Sequence, residues 1–153
     1  MKRIISLLIA VTILIPCFAG TPDNFRQFYR KYKSDKGVIN FTVPGFVVKL
    51  ATIKQDEETK EILSNISSVK LFIKEENTQN LFNAANQAIS NSSYKALLVV
   101  KDGSSNVKIA AKMDGDQIKQ FIILVEDEES FVAIQVRGKF NEKTLQRIIE
   151  EVS

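Results

Sequence analysis

The 153-residue chain has no histidine and no tryptophan, and its single cysteine is Cys17. Each absence removes a class of chemistry. Without imidazole there is no Ser-His-Asp or Cys-His nucleophile pair. With one thiol and no histidine, Cys/His zinc sites, cysteine-bound iron–sulfur clusters and haem held by His or Cys are excluded. A disulfide framework is excluded too. Proline is missing from position 45 to the end, which leaves that stretch free to form unbroken ladders. Charge of one sign is also scarce. Lys and Arg number 21 against 18 Asp and Glu, a formal charge of +3. Taking Lys2 and Arg3 away with the leader described next leaves 19 against 18, or +1, which is no footprint for nucleic acid. No phosphate-binding loop, G-x-G-x-x-G or G-x-S-x-G occurs, and no cofactor is implied.

Residues 1–19 read as a secretory signal peptide. Lys2 and Arg3 form a positive start, Ile4 to Ile15 is an apolar run too short to span a bilayer comfortably, and Pro16 breaks it. Cys17-Phe18-Ala19 puts small residues three and one positions before Gly20, so cleavage is expected between Ala19 and Gly20. The alternative is a lipoprotein signal with Cys17 as the lipidated residue. Leu14 fits that reading, and Pro16 directly before the cysteine fits it badly. Either way the chain is expected to be exported to the periplasm or cell envelope.

The remaining residues, 20–153, read as one α+β domain. Its centre is a four-strand meander from Tyr94 to Lys139. Asp102-Gly103, Asp114-Gly115 and Asp127-Glu128-Glu129 supply its turns. Connections this short force antiparallel pairing. Ala96 to Val100 and Phe121 to Val125 are continuous apolar runs, which predicts two central strands covered on both faces. Lys108, Ala110 and Lys112 alternate with Val107, Ile109 and Ala111, which predicts a half-exposed strand.

Ahead of the meander, Thr21-Pro22-Asp23 reads as a helix start, followed by Phe25, Phe28, Tyr29 and Tyr32 on one helical face. Gly37 ends that helix, and residues 38–43 form a strand. Pro44-Gly45 opens a helix with Phe46, Leu50 and Ile53 on one side. Gln55 to Glu61 reads as a solvated connection that can run on into a turn of helix through Ile62 and Leu63, Ser67 to Lys74 as a strand, and Asn77 or Thr78 as the cap of a helix burying Leu81, Phe82, Ala85, Ala88 and Ile89. Asn141 caps a last helix with Leu145, Ile148, Ile149 and Val152 in one stripe. The order α-β-α-β-α-β-β-β-β-α predicts one mostly antiparallel sheet with helices mainly on one face.

The leader, the aromatic first helix, "GVINFTVPGFVVKLA", "ILSNISSVKLFI" and the meander with its "KDG" turn, its Asp-Gly hairpin and its "FVAIQVRGKF" strand resemble the domain of unknown function 4252 family. The resemblance covers the whole mature chain. It implies a small exported bacterial protein, often lipid-anchored, and it brings no catalytic residues.

Three clusters remain as candidates for chemistry. Asp114-Gly115-Asp116 and the acidic run from Glu126 to Glu129 offer oxygen ligands, but neither has the twelve-residue spacing of an EF-hand, and turn chemistry with solubilising charge accounts for both. Lys101, Lys108, Lys112 and Lys119 recur around the hairpins, as a strip for an acidic partner or as lysines that discourage edge pairing. Arg26, Arg30 and Lys33 line the outer side of the first helix, where they suit an anionic surface or simple solvation. The expected function is therefore a non-catalytic envelope protein that binds a protein, peptide or lipid partner. The candidate surfaces are the uncovered face of the sheet and a basic set comprising Arg26, Arg30, Lys33, Lys108 and Lys112. The alternatives are an envelope sensor, or a hydrolase limited to Asp, Glu, Lys, Ser and Tyr.

Overall fold

The computed structural model of the protein describes residues 24–152. The leader, Cys17 and the Thr21-Pro22-Asp23 helix start lie outside the described residues. Eleven elements follow: α1 (Asn24–Tyr32), β1 (Val38–Pro44), α2 (Gly45–Leu50), α3 (Glu57–Ser64), β2 (Ile66–Glu75), α4 (Thr78–Ser90), β3 (Tyr94–Asp102), β4 (Ser105–Asp114), β5 (Gln117–Glu126), β6 (Ser130–Phe140) and α5 (Glu142–Val152). All six strands join one antiparallel sheet in the order β1-β2-β6-β5-β4-β3. The class is α+β, and the meander forms as the turns predict. Gly103 and Gly115 take positive φ in two of its hairpin turns.

The sheet separates two cores because side chains alternate between faces. On one face Phe72, Ala110, Ile122, Leu124, Phe131 and Ala133 meet Phe25 and Phe28 of α1 and Leu81, Phe82, Ala85 and Ile89 of α4. Rings dominate here. Phe28 lies 5.7 Å from Phe72 and 6.2 Å from Phe131, at tilted and edge-on angles that suit the ring quadrupole. On the other face Ile66, Ile118, Phe121, Val136 and Phe140 gather under Leu145 of α5, with Ile149, Leu63 and Val48 at the margin. Irregular register occurs in the β2–β6, β3–β4, β4–β5 and β5–β6 pairings, each time toward this end of the sheet. Bulges of this kind add twist and help the strands curl.

The two apolar runs of the meander fare differently. Residues 121–124 are buried in the central β5, as expected. The Ala96–Val100 run is not central: β3 is an edge strand, with Val99 59% and Val100 42% exposed. Among the described residues β4 is its one neighbour, since the sheet continues from β6 to β2 on its far side rather than back to β3. The β4 expectation also needs correction, since Ala110 is fully buried in the aromatic core. Residues 55–61 are only partly a connection: α3 begins at Glu57, and the Asp56 carboxylate accepts the Thr59 N–H at 2.8 Å as its cap. That bond holds the Asp56 carboxyl below its ordinary pKa. Asn77 precedes α4 in the left-handed region without a side-chain cap bond. Of the last helical stripe, Leu145 and Ile149 pack inward.

α2 faces the opposite way from a core helix. Val48 turns toward the sheet, while Phe46, Leu50 and Ile53 are 68%, 63% and 74% exposed. Its entry is fixed by close backbone approach: a Cβ on Gly45 would collide with the Ile66 carbonyl. Gly138 is the tighter case. A Cβ there would collide with the Asn65 carbonyl and come within 2.8 Å of the Phe140 ring. The neighbouring Lys139 N–H donates to that same carbonyl at 3.1 Å. Gly138→Ala is therefore expected to cost about 2 kcal/mol or more in urea unfolding, as overpacking against backbone does. Gly103→Ala, where a Cβ meets open space at φ +58°, is expected to cost about 1 kcal/mol.

Candidate functional site

The register generates a continuous apolar surface opposite the aromatic core. One row across all six strands runs Ile39, Ile73, Val132, Val125, Val107, Val100. The next runs Phe41, Leu71, Ile134, Ile123, Ile109, Leu98. Neither row contains a polar residue. The second row lies closer to α5, and Ile109 and Ile123 within it are buried. The first row is more open. Ile73, Val132, Val125 and Val107 are half-buried, and Ile39 is 59% exposed at the margin beside Phe41 at 48%. The first row is thus the open part of the face that the sequence left unassigned. Its strands alternate, but Leu71 and Ile73 of β2, on this face, flank Phe72, which belongs to the aromatic core. Only the pairing partners decide which of them is covered.

The other face carries a polar cleft of about 360 Å³ between α4 and the β3–β4 hairpin. Glu126, read from sequence as part of a solvated acidic turn, ends β5 instead and is 4% exposed. Its carboxylate accepts from Asn106 Nδ2 at 2.7 Å and, more weakly, from the Thr78 hydroxyl at 3.5 Å. That hydroxyl also reaches the Asp127 carbonyl at 3.1 Å. Across the cleft the Lys108 ammonium donates to Asn86 Oδ1. Burial pushes the Lys108 pKa down. Lys101 lines the same cleft. Asp127 does remain a turn residue. It accepts the Glu129 and Ser130 N–H groups at 2.8 and 2.7 Å, which lowers its pKa.

The basic candidates do not form one strip. Lys108 faces the cleft, while Lys112, on the same side of β4 beyond Ala110, lies with its ammonium 5.7 Å from the Tyr94 ring. There the Gln120 side-chain amide donates to the Tyr94 hydroxyl at 2.5 Å, and Gln135 stands behind it. Lys119 sits 3.9 Å from Asp114. Arg26 and Arg30 are exposed on α1 and Lys33 in the turn after it, apart from both lysines of β4. Inward from them Tyr29 donates to Asn40 Oδ1 at 2.9 Å, and Lys70 stacks 4.4 Å from its ring. Burial raises the Tyr29 pKa. Among the described residues no three His, Cys, Asp or Glu side chains converge as a metal site. The Glu126 cluster is not legible in the sequence because Thr78 of α4 and Asn106 of β4 lie 48 and 20 residues away along the chain.

A family model described as Domain of unknown function (DUF4252) matches residues 32–148, so the chain belongs to that family. No curated protein and no solved structure matches the chain.

Two measurements check the cleft. Glu126→Ala removes the acceptor of Asn106 and is expected to cost about 1–3 kcal/mol in chemical unfolding, whereas Glu126→Gln keeps an oxygen there and should cost less. In an NMR titration the Lys108 side chain is expected to lose its proton at lower pH than an ordinary lysine, because the neutral form is favoured by burial.

Proposed function

We propose that this family member is an exported, non-catalytic protein of the cell envelope that binds a protein, peptide or lipid partner through the open apolar face of its sheet. The observation that carries the reading is the row from Ile39 to Val100. It is apolar on every strand, yet it is not covered as the aromatic core opposite it is. Contiguous apolar surface of this extent on a folded chain marks a place where something binds. Export rests on residues 1–19, with the lipid-modified Cys17 as the alternative ending. Among the described residues no helix is long and apolar enough to cross a membrane.

The cleft supports the hydrolase alternative less well. Glu126 is engaged by Asn106 and Thr78, and Lys108 by Asn86, so neither group is held toward an open position where a substrate atom would sit. The cleft is better described as the polar seam between α4 and the hairpin.

Photo-crosslinking in intact cells tests the proposal. A photoreactive residue at Ile73 or Val132 is expected to yield specific adducts in the envelope fraction, with mass spectrometry finding Gly20 or a modified Cys17 at the N-terminus. Adducts at Arg30 instead would move the binding surface to the basic side of α1. A chain that keeps residues 1–19 and stays in the cytoplasm would defeat the reading.

A further inference from the structure

We infer that α2 and the turn after it form a second, separate docking surface, and that its partner is an anionic lipid surface. The residues Phe46, Leu50 and Ile53 stand at i, i+4 and i+7 and carry the three highest exposures among the described large apolar side chains. The turn keeps the helical sense past Leu50: the Ala51 N–H donates to the Val47 and Val48 carbonyls, and Thr52 bonds back to Lys49. The three side chains therefore share one side. A helix on a protein core buries such a stripe, and this one turns it outward.

Charge selects the partner. Lys49 and Lys54 flank the stripe, and Lys139 lines the same depression as Phe46 and Lys49. Among the described residues none of these three lysines has an ion pair. Of the acids at α3, Asp56 caps the helix, Glu57 pairs with Lys60 at 2.9 Å and Glu58 pairs with Arg147, which leaves Glu61 as the one acid there with neither a cap bond nor an ion pair among the described residues, against three lysines. Apolar side chains ringed by lysines fit a leaflet whose headgroups are negative and whose interior is hydrocarbon. A short element that lies on the surface suffices, and nothing needs to span. The inference does not depend on the open sheet face taking a partner.

The chain has no tryptophan, so Ile53→Trp gives a single reporter. The protein is recovered from the envelope fraction in a Cys17→Ser background, which removes any lipid anchor, and is mixed with vesicles of phosphatidylglycerol and phosphatidylethanolamine. The expected result is a blue-shifted emission from the introduced indole, quenched by brominated lipid. Glu128→Trp, in the turn at the opposite end of the sheet, should show no change. Phe46→Ser with Leu50→Ser should weaken vesicle binding about tenfold or more without altering the thermal midpoint, since both sites are exposed. Each of Lys49→Gln, Lys54→Gln and Lys139→Gln should weaken it about fivefold, and pure phosphatidylcholine vesicles should bind poorly. Failure of the parent protein to bind anionic vesicles would overturn the inference. So would unchanged binding by the serine pair, or a concentration-dependent dimer that the serine pair abolishes. Adducts at Ile73 would be unaffected by any of these outcomes.

Discussion

The fold depends on one constraint: strand pairing with a side-chain period of two. Once β6 pairs with both β2 and β5, the positions of Phe72, Ala133 and Leu124 are committed to one face, and those of Leu71, Ile134 and Ile123 to the other. A slip of one residue in the β2–β6 pairing would put Phe72 and Phe131 on opposite faces, so that only one of them could meet Phe28. The aromatic cluster and the ladder therefore enforce one another. The same register writes the apolar rows on the far face, so their alignment across the strands cannot shift without disturbing the aromatic core.

The two faces are finished in different ways. α1 and α4 seal the first with rings and small residues, and polar groups that enter it are fully engaged, as with Gln120, Gln135 and Tyr94. Low dielectric makes an unpaired group there expensive, which is why amides and a hydroxyl meet one another at the rim. Among the described residues the second face is sealed near Leu145, where Gly138 lets the chain pass close to Asn65, and beyond that point the rows continue without a described lid of comparable size.

Much of this was legible in the residues. Turn glycines and alternation located the meander, because hairpins are local and their chemistry lies within a few positions. The helical stripes of α1, α4 and α5 were read for the same reason. What could not be read was non-local. Nothing in Ala96 to Val100 says that its strand has one neighbour, and nothing in Ile66 to Glu75 says that it inserts between β1 and β6. Glu126 looked solvated because its run continues into three further acids, and its partners arrive from α4 and β4. The outward turn of α2 was equally hidden, since an amphipathic pattern does not state which side meets water.

The strand order has a consequence for how the chain reaches its shape. The β3–β4–β5–β6 contacts close loops of a few residues, and β1–β2 is separated only by α2 and α3. The β2–β6 seam is different: Leu71 must find Ile134 after α4 and three strands have been made in between. Loop-closure entropy makes that step the slow one and favours a route in which two preformed hairpin units collide late. Until they do, β6 offers an unsatisfied edge carrying Val132, Ile134 and Val136. A nascent chain is thus most exposed to misassembly just before its last seam closes.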